Sequence, residues 1–348
     1  MGSTGRVDEK RIAVLGAGAN GASVGADLTA AGLDVTLIEQ WPAHVEKMRA
    51  DGLRITTPER VLELPVRAHH LCEVAELRQP FDVVLVLMKA YDTRWACELI
   101  KSLVAPEGVV AGVQNGMTAD VVAEVVGPER AIGCVIECSS ALEVPGLVER
   151  HTPPERSWFA VGALDPAAAG HEAEVAELLA HAGAVEVVED IRSAKWMKLV
   201  SNCTTLVTTA ILGEPMLAAL KHEAMRDLML AAGQEALDAG LARGHQIQPI
   251  FGLGAADVAE PERVVERLLD VLYAGFVLPN TKTTILQDWD KGRRSEVDEI
   301  NGLVVTELGA DRAPVNAAVV ELAHRIERGE LEPQIENYAL LAELADRA

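Results

Sequence analysis

Short runs of apolar, β-branched residues alternate with helical patterns from Arg11 to about Val188. This alternation predicts an α/β fold with a Rossmann-type, doubly wound sheet, because each strand is followed by a helix that returns the chain to the next strand. A further helix is predicted over His171–Ala182. The predicted strands are Ile12–Leu15, Val35–Ile38, Leu53–Thr56, Val61–Val66, Asp82–Met88, Val109–Val113, Ala131–Glu137, Leu147–His151, Trp158–Val161 and Val185–Val188.

From about Asp190 the pattern changes to long helices with little strand signal, which predicts an all-α C-terminal domain. The predicted helices are Ile191–Leu212, Ala218–Arg243, Pro261–Leu272, Thr281–Trp289, Ser295–Leu308 and Val315–Arg328. With 348 residues the chain is long enough for two domains. We therefore expect a flexible N-terminus at 1–10, a dinucleotide-binding domain at 11–189 and a helical substrate domain at 190–348, with a cleft between the domains.

Composition narrows the range of partners. A formal net charge of −22 repels phosphate backbones, so nucleic acid is not an expected partner. No apolar run reaches the roughly 18 residues that span a bilayer, and the first ten residues lack an apolar signal core. The five cysteines lack zinc-site spacing and indicate structural thiols in a reducing compartment. We expect a cytoplasmic protein without a metal.

The most informative motif is a G-x-G-x-x-G formed by Gly16, Gly18 and Gly21. It follows the first predicted strand and opens a helical pattern, which is the frame of a dinucleotide-binding loop. The first glycine permits the tight turn, the second lets the backbone approach a pyrophosphate, and the third lets helix and strand pack closely. The amides at the helix start, at Ala19 and Asn20, attract the diphosphate without a basic residue.

An acidic residue follows the second predicted strand. Glu39 stands 18 residues after Gly21, where a carboxylate accepts hydrogen bonds from the adenosine ribose and repels a 2′-phosphate. No arginine follows in Gln40-Trp41-Pro42. We therefore predict NAD rather than NADP; a solvated glutamate at a strand end is the alternative. A methyltransferase also places an acid here, but its glycine loop is normally G-x-G-x-G.

Two polar residues lie just past later strands, where open α/β sheets place ligands. Lys89 follows Asp82–Met88, and Asn115 follows Val109–Val113. Asn115 is a candidate contact for the nicotinamide end of the cofactor or for a substrate carbonyl. Asn115-Gly116 is equally a favourable turn sequence.

In the helical half, Lys198 and Asn202 are four residues apart and so share one stripe of a predicted helix. That stripe lies beside an apolar face that includes Trp196, Leu199 and Cys203. A lysine and an amide on one spot suit a carbonyl and its developing alkoxide, because the ammonium can donate the proton as hydride arrives. A helical lysine is, however, most often solvated.

The predicted helix beginning at Ser295 carries a carboxylate on its buried side. Glu296 shares its angular position with Ile300 and Leu303. Burying a carboxylate is unfavourable unless it is paired, so a substrate hydroxyl or a catalytic lysine would explain it. The alternative is an N-terminal acid favoured by the helix dipole.

These pieces, in their order and spacing, make the chain resemble the ketopantoate reductase (2-dehydropantoate 2-reductase) family over nearly its whole length. The matching segments are Leu15-Gly-Ala-Gly-Ala-Asn-Gly, Lys89-Ala90, Gln114-Asn115-Gly116, Trp196-Met-Lys198-Leu-Val-Ser-Asn202, Leu286-Gln-Asp288 and Gly292-Arg-Arg-Ser-Glu296-Val-Asp-Glu-Ile-Asn301-Gly302.

The resemblance implies roles for individual residues. Lys198 would be the general acid, and Glu296 would bind substrate and support that lysine. Asn115 and Asn202 would orient a 2-oxo acid, and Thr284 would offer its hydroxyl to the substrate carboxylate. Lys89 would lie near the cofactor. The implied assembly is a homodimer, and the implied pathway is pantothenate biosynthesis.

The chain departs from the family pattern in three places. Leu206 stands where the family commonly has a second asparagine, Glu39 opposes the NADP preference of its best-known members, and residues 244–280 form a longer stretch. We therefore expect an NAD(H)-dependent oxidoreductase that interconverts a small 2-oxo acid and its 2-hydroxy acid. The alternatives are a 3-hydroxyacid or opine-type dehydrogenase on the same architecture, or a non-catalytic NAD-sensing protein.

Overall fold

The computed structural model describes residues 10–347 of the chain. The expected flexible N-terminus therefore lies outside the described residues, apart from Lys10. The described chain forms two compact units, which divide between Arg192 and Ser193.

The first unit is an α/β structure, as predicted. Its strands and helices, in chain order, are β1 (Arg11–Leu15), α1 (Ala19–Ala30), β2 (Asp34–Glu39), α2 (Pro42–Asp51), β3 (Leu53–Thr56), β4 (Val61–Leu64), β5 (Arg67–His70), β6 (Phe81–Val86), α3 (Thr93–Ile100), β7 (Val104–Gly112), α4 (Ala119–Val126), β8 (Ala131–Glu137), β9 (Ser140–Val144), β10 (Leu147–Arg150), β11 (Trp158–Ala163), α5 (His171–Leu179) and β12 (Ala184–Val187).

The main sheet has eight strands in the order β12-β11-β8-β7-β6-β1-β2-β5. The six strands from β5 to β8 run parallel, whereas β11 pairs antiparallel with β8 and parallel with β12. No crossover helix separates β8 from β11, and antiparallel neighbours need none. The doubly wound sheet is therefore confirmed, with two reversed strands at one side.

Two strands were missed by the sequence pattern. β5, with the sequence Arg-Ala-His-His, is a short edge strand without an apolar run. β9 joins β10, β3 and β4 in a separate small sheet of order β4-β3-β10-β9. The strands predicted at Leu53–Thr56 and Val61–Val66 are confirmed as β3 and β4, which form an antiparallel pair.

Helix α1 is held against this small sheet by buried polar contacts. Ser23 Oγ lies 3.0 Å from Ser140 Oγ on β9. Arg150 at the end of β10 is 1% exposed, ion-pairs with Asp27 of α1, and donates to the carbonyls of Thr152 and Ala182 at 2.7 and 2.8 Å. Because burying a guanidinium without partners is strongly unfavourable, this network fixes the position of α1 in the unit.

The second unit is helical, as predicted, and residues 193–347 contain no strand. Its helices are α6 (Ile191–Ala210), α7 (Met216–Ala219), α8 (Glu223–Ala242), α9 (Val264–Gly275), α10 (Thr284–Asp290), α11 (Asn301–Leu308), α12 (Pro314–Glu327) and α13 (Asn337–Arg347). None of the described helices has the length and apolar character needed to span a membrane.

Long-range hydrogen bonds join the helices of this unit. The Trp196 indole of α6 donates to the carbonyl of Ala236 on α8 at 2.8 Å. The carboxylate of Glu235 on α8 accepts from the backbone amides of Val315 and Asn316 at 3.0 and 2.9 Å. Those amides open α12 and have no partner within the helix, so Glu235 acts as a cap supplied by another helix.

Two predicted helices begin several residues later than expected, and the one predicted from Ala218 begins at Glu223 as α8. The helix expected from Ser295 begins at Asn301, and residues 296–300 form a bend and turns instead. The backbone amide and hydroxyl of Ser295 both donate to Glu327 of α12, at 2.8 and 2.6 Å. These hydrogen bonds to another helix take the place of a local helix cap. The spacing of apolar residues in the sequence does not predict them. Helix α13 was also not predicted.

Candidate functional site

The predicted cofactor residues of the first unit lie at one edge of the main sheet. Strands β7, β6, β1 and β2 are parallel neighbours, so their carboxyl ends meet at the same edge. The glycine loop follows β1, Glu39 ends β2, Lys89 follows β6 and Asn115 follows β7. Ligands of open α/β sheets bind at this edge.

The glycine loop has the close packing that its motif predicts. Gly16 has φ +97°, and a Cβ there would lie 2.7 Å from the backbone of Leu87 and Met88. The Gly16 amide donates to the Ile38 carbonyl of β2 at 2.8 Å. A Cβ on Gly21 would lie 2.0 Å from the Gly16 carbonyl oxygen, so α1 packs directly on the turn.

The start of α1 offers room and polar groups for a ligand. A Cβ on Gly18 would meet no atom within 4 Å, so space adjoins the backbone there. The Oδ1 atom of Asn20, in the first turn of α1, is buried and has no hydrogen-bond partner among residues 10–347. A buried acceptor without a donor is unfavourable by about 1–3 kcal/mol, which a bound ligand would relieve. Because the amides of a helix start also attract phosphate, this geometry fits a dinucleotide.

A buried histidine anchors the loop from behind. His44 of α2 is fully buried; its Nε2 donates to the Ala17 carbonyl at 3.1 Å, and its Nδ1 accepts from the Gly146 amide at 2.8 Å. Burial lowers the pKa of His44 to about 4, although the bond to Ala17 opposes the change. The neutral imidazole therefore joins the middle of the glycine loop to the turn between β9 and β10.

Glu39 is held in place at the end of β2. It is 6% exposed, and its Oε1 accepts the Trp41 amide at 2.9 Å. The preceding residue, Ile38, receives the Gly16 amide. The carboxylate is therefore beside the glycine loop and is not a solvated strand-end acid.

The ends of β6 and β7 are tied together by side chains. Gln114 donates to Thr93 Oγ1 at 2.8 Å, and Thr93 donates to the Ala90 carbonyl at 2.7 Å. Lys89 directly precedes this turn and is half-buried. The neighbouring Asn115 Oδ1 is buried and finds no donor within the described part of the chain. It is therefore a second acceptor available to a ligand at this edge.

In the second unit, α6 carries Lys198 and Asn202 one turn apart in its buried part. Lys198 is 8% exposed and Asn202 is 1% exposed. From Ser193 to Ala210 every residue except Leu206 is buried, so the stripe that Lys198 and Asn202 share is buried as well, and the alternative of a solvated helix lysine is wrong. The helix keeps its threonines inside because their hydroxyls donate to carbonyls four residues earlier, as Thr204, Thr205, Thr208 and Thr209 do.

Asn202 differs from those threonines. Its Nδ2 is buried without an acceptor among the residues that the structure describes. The Lys198 ammonium has an aromatic neighbour, since its Nζ lies 5.1 Å from the ring centroid of Phe251. A charged donor and an amide donor one turn apart suit a carbonyl oxygen that gains negative charge.

Glu296 is buried, as expected, but not because it lies on a helix. It is 4% exposed and stands in the segment before α11. Asn301, the first residue of α11, donates to the Cys203 carbonyl of α6 at 3.4 Å and to Asn316 Oδ1 at 2.8 Å. The start of α11 is therefore attached to α6 next to Asn202. Tertiary hydrogen bonds, and not helical phase, determine where Glu296 lies.

Thr284 is the first residue of α10 and is half-buried. The preceding Thr283 caps the helix through its hydroxyl, which accepts the Leu286 amide at 3.2 Å. Thr284 is therefore at a rigid helix start, where its hydroxyl is not needed as the cap.

Phe251 was not singled out from the sequence. It lies in the long stretch after Gly244, and the only signal was a Phe-Gly pair within a loop.

A separate cavity of about 490 Å³ in the second unit includes Trp289, Arg293, Arg294 and Glu327 in its lining. None of the predicted site residues lines it.

Two family models match the chain. The model described as ketopantoate reductase PanE/ApbA matches residues 12–164, and its C-terminal counterpart, ketopantoate reductase PanE/ApbA C terminal, matches residues 190–327. The 2-dehydropantoate 2-reductase of Caulobacter vibrioides is 30% identical over 324 residues, covering 89% of this chain and 97% of the relative. That of Mesorhizobium japonicum is 29% identical, covering 92% and 99%.

Solved structures have the same architecture. A PanE/ApbA family ketopantoate reductase from Ralstonia eutropha is 26% identical with a TM-score of 0.75, covering 92% of this chain and 99% of its own. D-mandelate dehydrogenase with NADH and anilino(oxo)acetate is 21% identical with a TM-score of 0.79 and the same coverage, a likeness that concerns the fold alone. These matches show that the protein is an oxidoreductase. The chain belongs to the ketopantoate reductase family.

Proposed function

We propose that this protein interconverts a small 2-oxo acid and its 2-hydroxy acid by hydride transfer with NAD(H), with Lys198 as general acid and base. The observation that carries the proposal is the buried polar pair on α6. Lys198 is 8% exposed, and one turn away Asn202 Nδ2 is a buried donor without an acceptor among the described residues. Such a donor is unfavourable in the free protein and becomes satisfied by a substrate oxygen.

The first unit would hold the dinucleotide. Gly16, Gly18 and Gly21 form the loop, the amides at Ala19 and Asn20 would face the diphosphate, and Lys89 and Asn115 would line the nicotinamide end. The space beside Gly18 and the unpartnered Oδ1 atoms of Asn20 and Asn115 support this assignment. When bound, the reduced nicotinamide supplies the hydride.

The other residues bind the substrate or move its proton. Lys198 donates the proton to the carbonyl oxygen and recovers it in the reverse reaction. Asn202 and Asn115 donate hydrogen bonds from their amides and so orient the oxo acid. The Thr284 hydroxyl donates to the substrate carboxylate, and Glu296 accepts from a substrate hydroxyl and supports the lysine.

The preference for NAD rests on Glu39. Its carboxylate is 6% exposed and held by the Trp41 amide beside the glycine loop. There it accepts hydrogen bonds from ribose hydroxyls and repels a 2′-phosphate, and no arginine follows at positions 40–42 to neutralise that phosphate.

A second candidate substrate within the same chemistry is favoured by Leu206. This residue follows Asn202 by one turn and is the one incompletely buried residue between Ser193 and Ala210. An apolar side chain there offers no partner to a hydroxyl on the substrate tail. A 2-oxo acid without that hydroxyl would therefore be used in preference to 2-dehydropantoate.

We also propose that the protein assembles as a homodimer, on family resemblance alone.

The test is a spectrophotometric screen of NADH and NADPH oxidation with a panel of 2-oxo acids that includes 2-dehydropantoate, together with the reverse reactions. Lys198→Ala should lower kcat about 10²- to 10⁴-fold, because proton transfer then falls to water. NADH binding, measured by fluorescence, should be nearly unchanged.

Lys221→Ala is the matched control, since Lys221 is exposed and lies in the same unit. It should keep wild-type turnover. Full activity in Lys198→Ala would exclude the catalytic role, and a preference for NADPH would exclude the argument from Glu39.

A further inference from the structure

Phe251 occupies an unusual backbone conformation. Its φ is +62°, and it is the one residue other than glycine with positive φ in the part of the chain that the structure describes. The next residue, Gly252, has φ +78°, and the Leu253 amide donates to the Ile250 carbonyl at 3.1 Å. Positive φ at both central positions is the pattern of a type I′ turn.

A phenylalanine is a poor choice for this turn. Type I′ turns favour asparagine or glycine at the first central position, because a bulky side chain in the left-handed region is strained by about 1–2 kcal/mol. Such strain persists only where surrounding contacts impose it, and it is often associated with function.

The ring lies close to an aromatic neighbour and to the Lys198 ammonium. Phe251 is 7% exposed, and its centroid lies 5.6 Å from that of Phe276, just after α9. Lys198 Nζ lies 5.1 Å from the Phe251 centroid. That distance is within the range of a cation–π interaction, which is strongest where water is excluded.

The segment that leads to Phe251 is attached along α6. The His245 ring stacks on Trp196 with centroids 4.8 Å apart, and the Gln246 amide donates to Ser193 Oγ at 2.9 Å. Ile250, directly before the turn, is fully buried. The turn is therefore presented to α6 at a fixed place, and the ring position does not depend on a loose loop.

We propose that Phe251 is a positioning residue that holds the Lys198 ammonium through the face of its ring. This inference rests on the proposed function, because it gives Phe251 its role through Lys198. The strained turn is then explained, since it places an aromatic face where an asparagine or glycine would leave the ammonium without that contact.

The experiment compares ring-less and ring-bearing variants at position 251. Phe251→Leu removes the aromatic face and keeps apolar volume, Phe251→Gly removes the ring in a residue that accepts positive φ, and Phe251→Tyr keeps the face. For Leu and Gly we expect kcat to fall about three- to thirtyfold, with KM changed by less than about twofold. Phe251→Tyr should restore kcat. The alkaline limb of the pH–rate profile for carbonyl reduction, where the general acid loses its proton, should move in the ring-less variants only.

The matched control is Phe81→Leu. Phe81 also faces a cation, with Arg11 Cζ 4.9 Å from its ring centroid, but it begins β6 at the edge opposite the glycine loop. This variant should lower Tm and leave kcat and the pH profile unchanged. Phe251→Gly keeps the test decisive if Phe251→Leu does not fold.

Wild-type kcat and pH profile in both ring-less variants, or a defect in Phe251→Tyr equal to theirs, would overturn the positioning role. Lys198→Ala separates this failure from failure of the proposed function. If Lys198→Ala is inactive while the ring-less variants behave as wild type, only the positioning role is wrong. If Lys198→Ala is fully active, both proposals fall together.

Discussion

The glycine-loop edge of the first unit and helix α6 of the second unit build polar sites in opposite ways. At the loop, the backbone supplies the groups, and Gly16 and Gly21 are needed because their neighbours leave no room for a Cβ. On α6, side chains supply the groups: Lys198 and Asn202 stand in a helix that is buried almost all round. A site built from backbone groups requires glycines at fixed spacing, which can be recognised in the sequence. A site built from buried side chains depends on the segments that pack around it, which the sequence motif does not show.

The largest effect that would test this contrast is expected from Gly21→Ala. Its Cβ would lie 2.0 Å from the Gly16 carbonyl oxygen, so α1 must move away from the turn. Because backbone cannot yield as a flexible side chain does, we expect a loss of more than about 3 kcal/mol in the free energy of unfolding. Urea unfolding measures it, and nucleotide binding should be lost as well.

Gly18→Ala is the matched control for that change. A Cβ at Gly18 meets nothing within 4 Å and φ is −67°, so the fold should tolerate it. The added methyl group would instead occupy space next to the backbone, so NADH affinity should fall while Tm stays near wild type. Equal destabilisation in both variants would contradict a loop built by close backbone packing.

A smaller effect is expected from the histidine behind the loop. Burial lowers the pKa of His44 from 6.5 to about 4, so folding favours the neutral ring. Its stabilising contribution is complete above about pH 6.5 and is lost as the pH falls towards 4, because the unfolded chain then binds a proton that the folded chain does not. At about 1.4 kcal/mol per pH unit, the total is about 3 kcal/mol.

The measurement is the free energy of unfolding of the wild type and of His44→Gln between pH 4 and 8. The variant should be less stable at neutral pH and should lose less stability on acidification. Parallel curves for the two proteins would show that His44 does not titrate as its burial requires.

The smallest effects are expected on the second unit, where a long-range and a local hydrogen bond can be compared. Asn301→Leu removes the donor to the Cys203 carbonyl and to Asn316, and should reduce the free energy of unfolding by about 1–3 kcal/mol. Thr208→Val removes a hydroxyl that donates only within α6, to Thr204, and should change it by less than about 1 kcal/mol. Thermal unfolding of both variants measures the difference, and a larger loss in Thr208→Val would reverse the ranking.

Much of the fold could be predicted from pattern alone. The strands that carry the glycine loop, Glu39, Lys89 and Asn115 are distinct apolar runs, and each was located to within a few residues, apart from the longer start of β7. The features that the apolar pattern failed to predict have little local signal in the sequence. The polar edge strand β5 and the reversed direction of β11 depend on neighbours far away in the chain.

The candidate site divides in the same way. The order and spacing of the glycines, Lys198 and Glu296 could be read from the sequence, and the family follows from them. The burial of Lys198 and the true start of α11 at Asn301 could not, because both depend on contacts between helices. Phe251 was overlooked because type I′ turns are recognised from asparagine and glycine, and a phenylalanine at the first central position does not indicate one.

The amino-acid sequence by itself determined the two-part architecture, the family and the residue types available for chemistry, because these follow from apolar period and from motifs of fixed spacing. Only the tertiary structure decided which of those residues are buried, which of their atoms lack partners, and which aromatic ring faces the Lys198 ammonium. The physical reason is that burial and pairing are properties of atoms brought together from distant segments, and no local pattern encodes those distances.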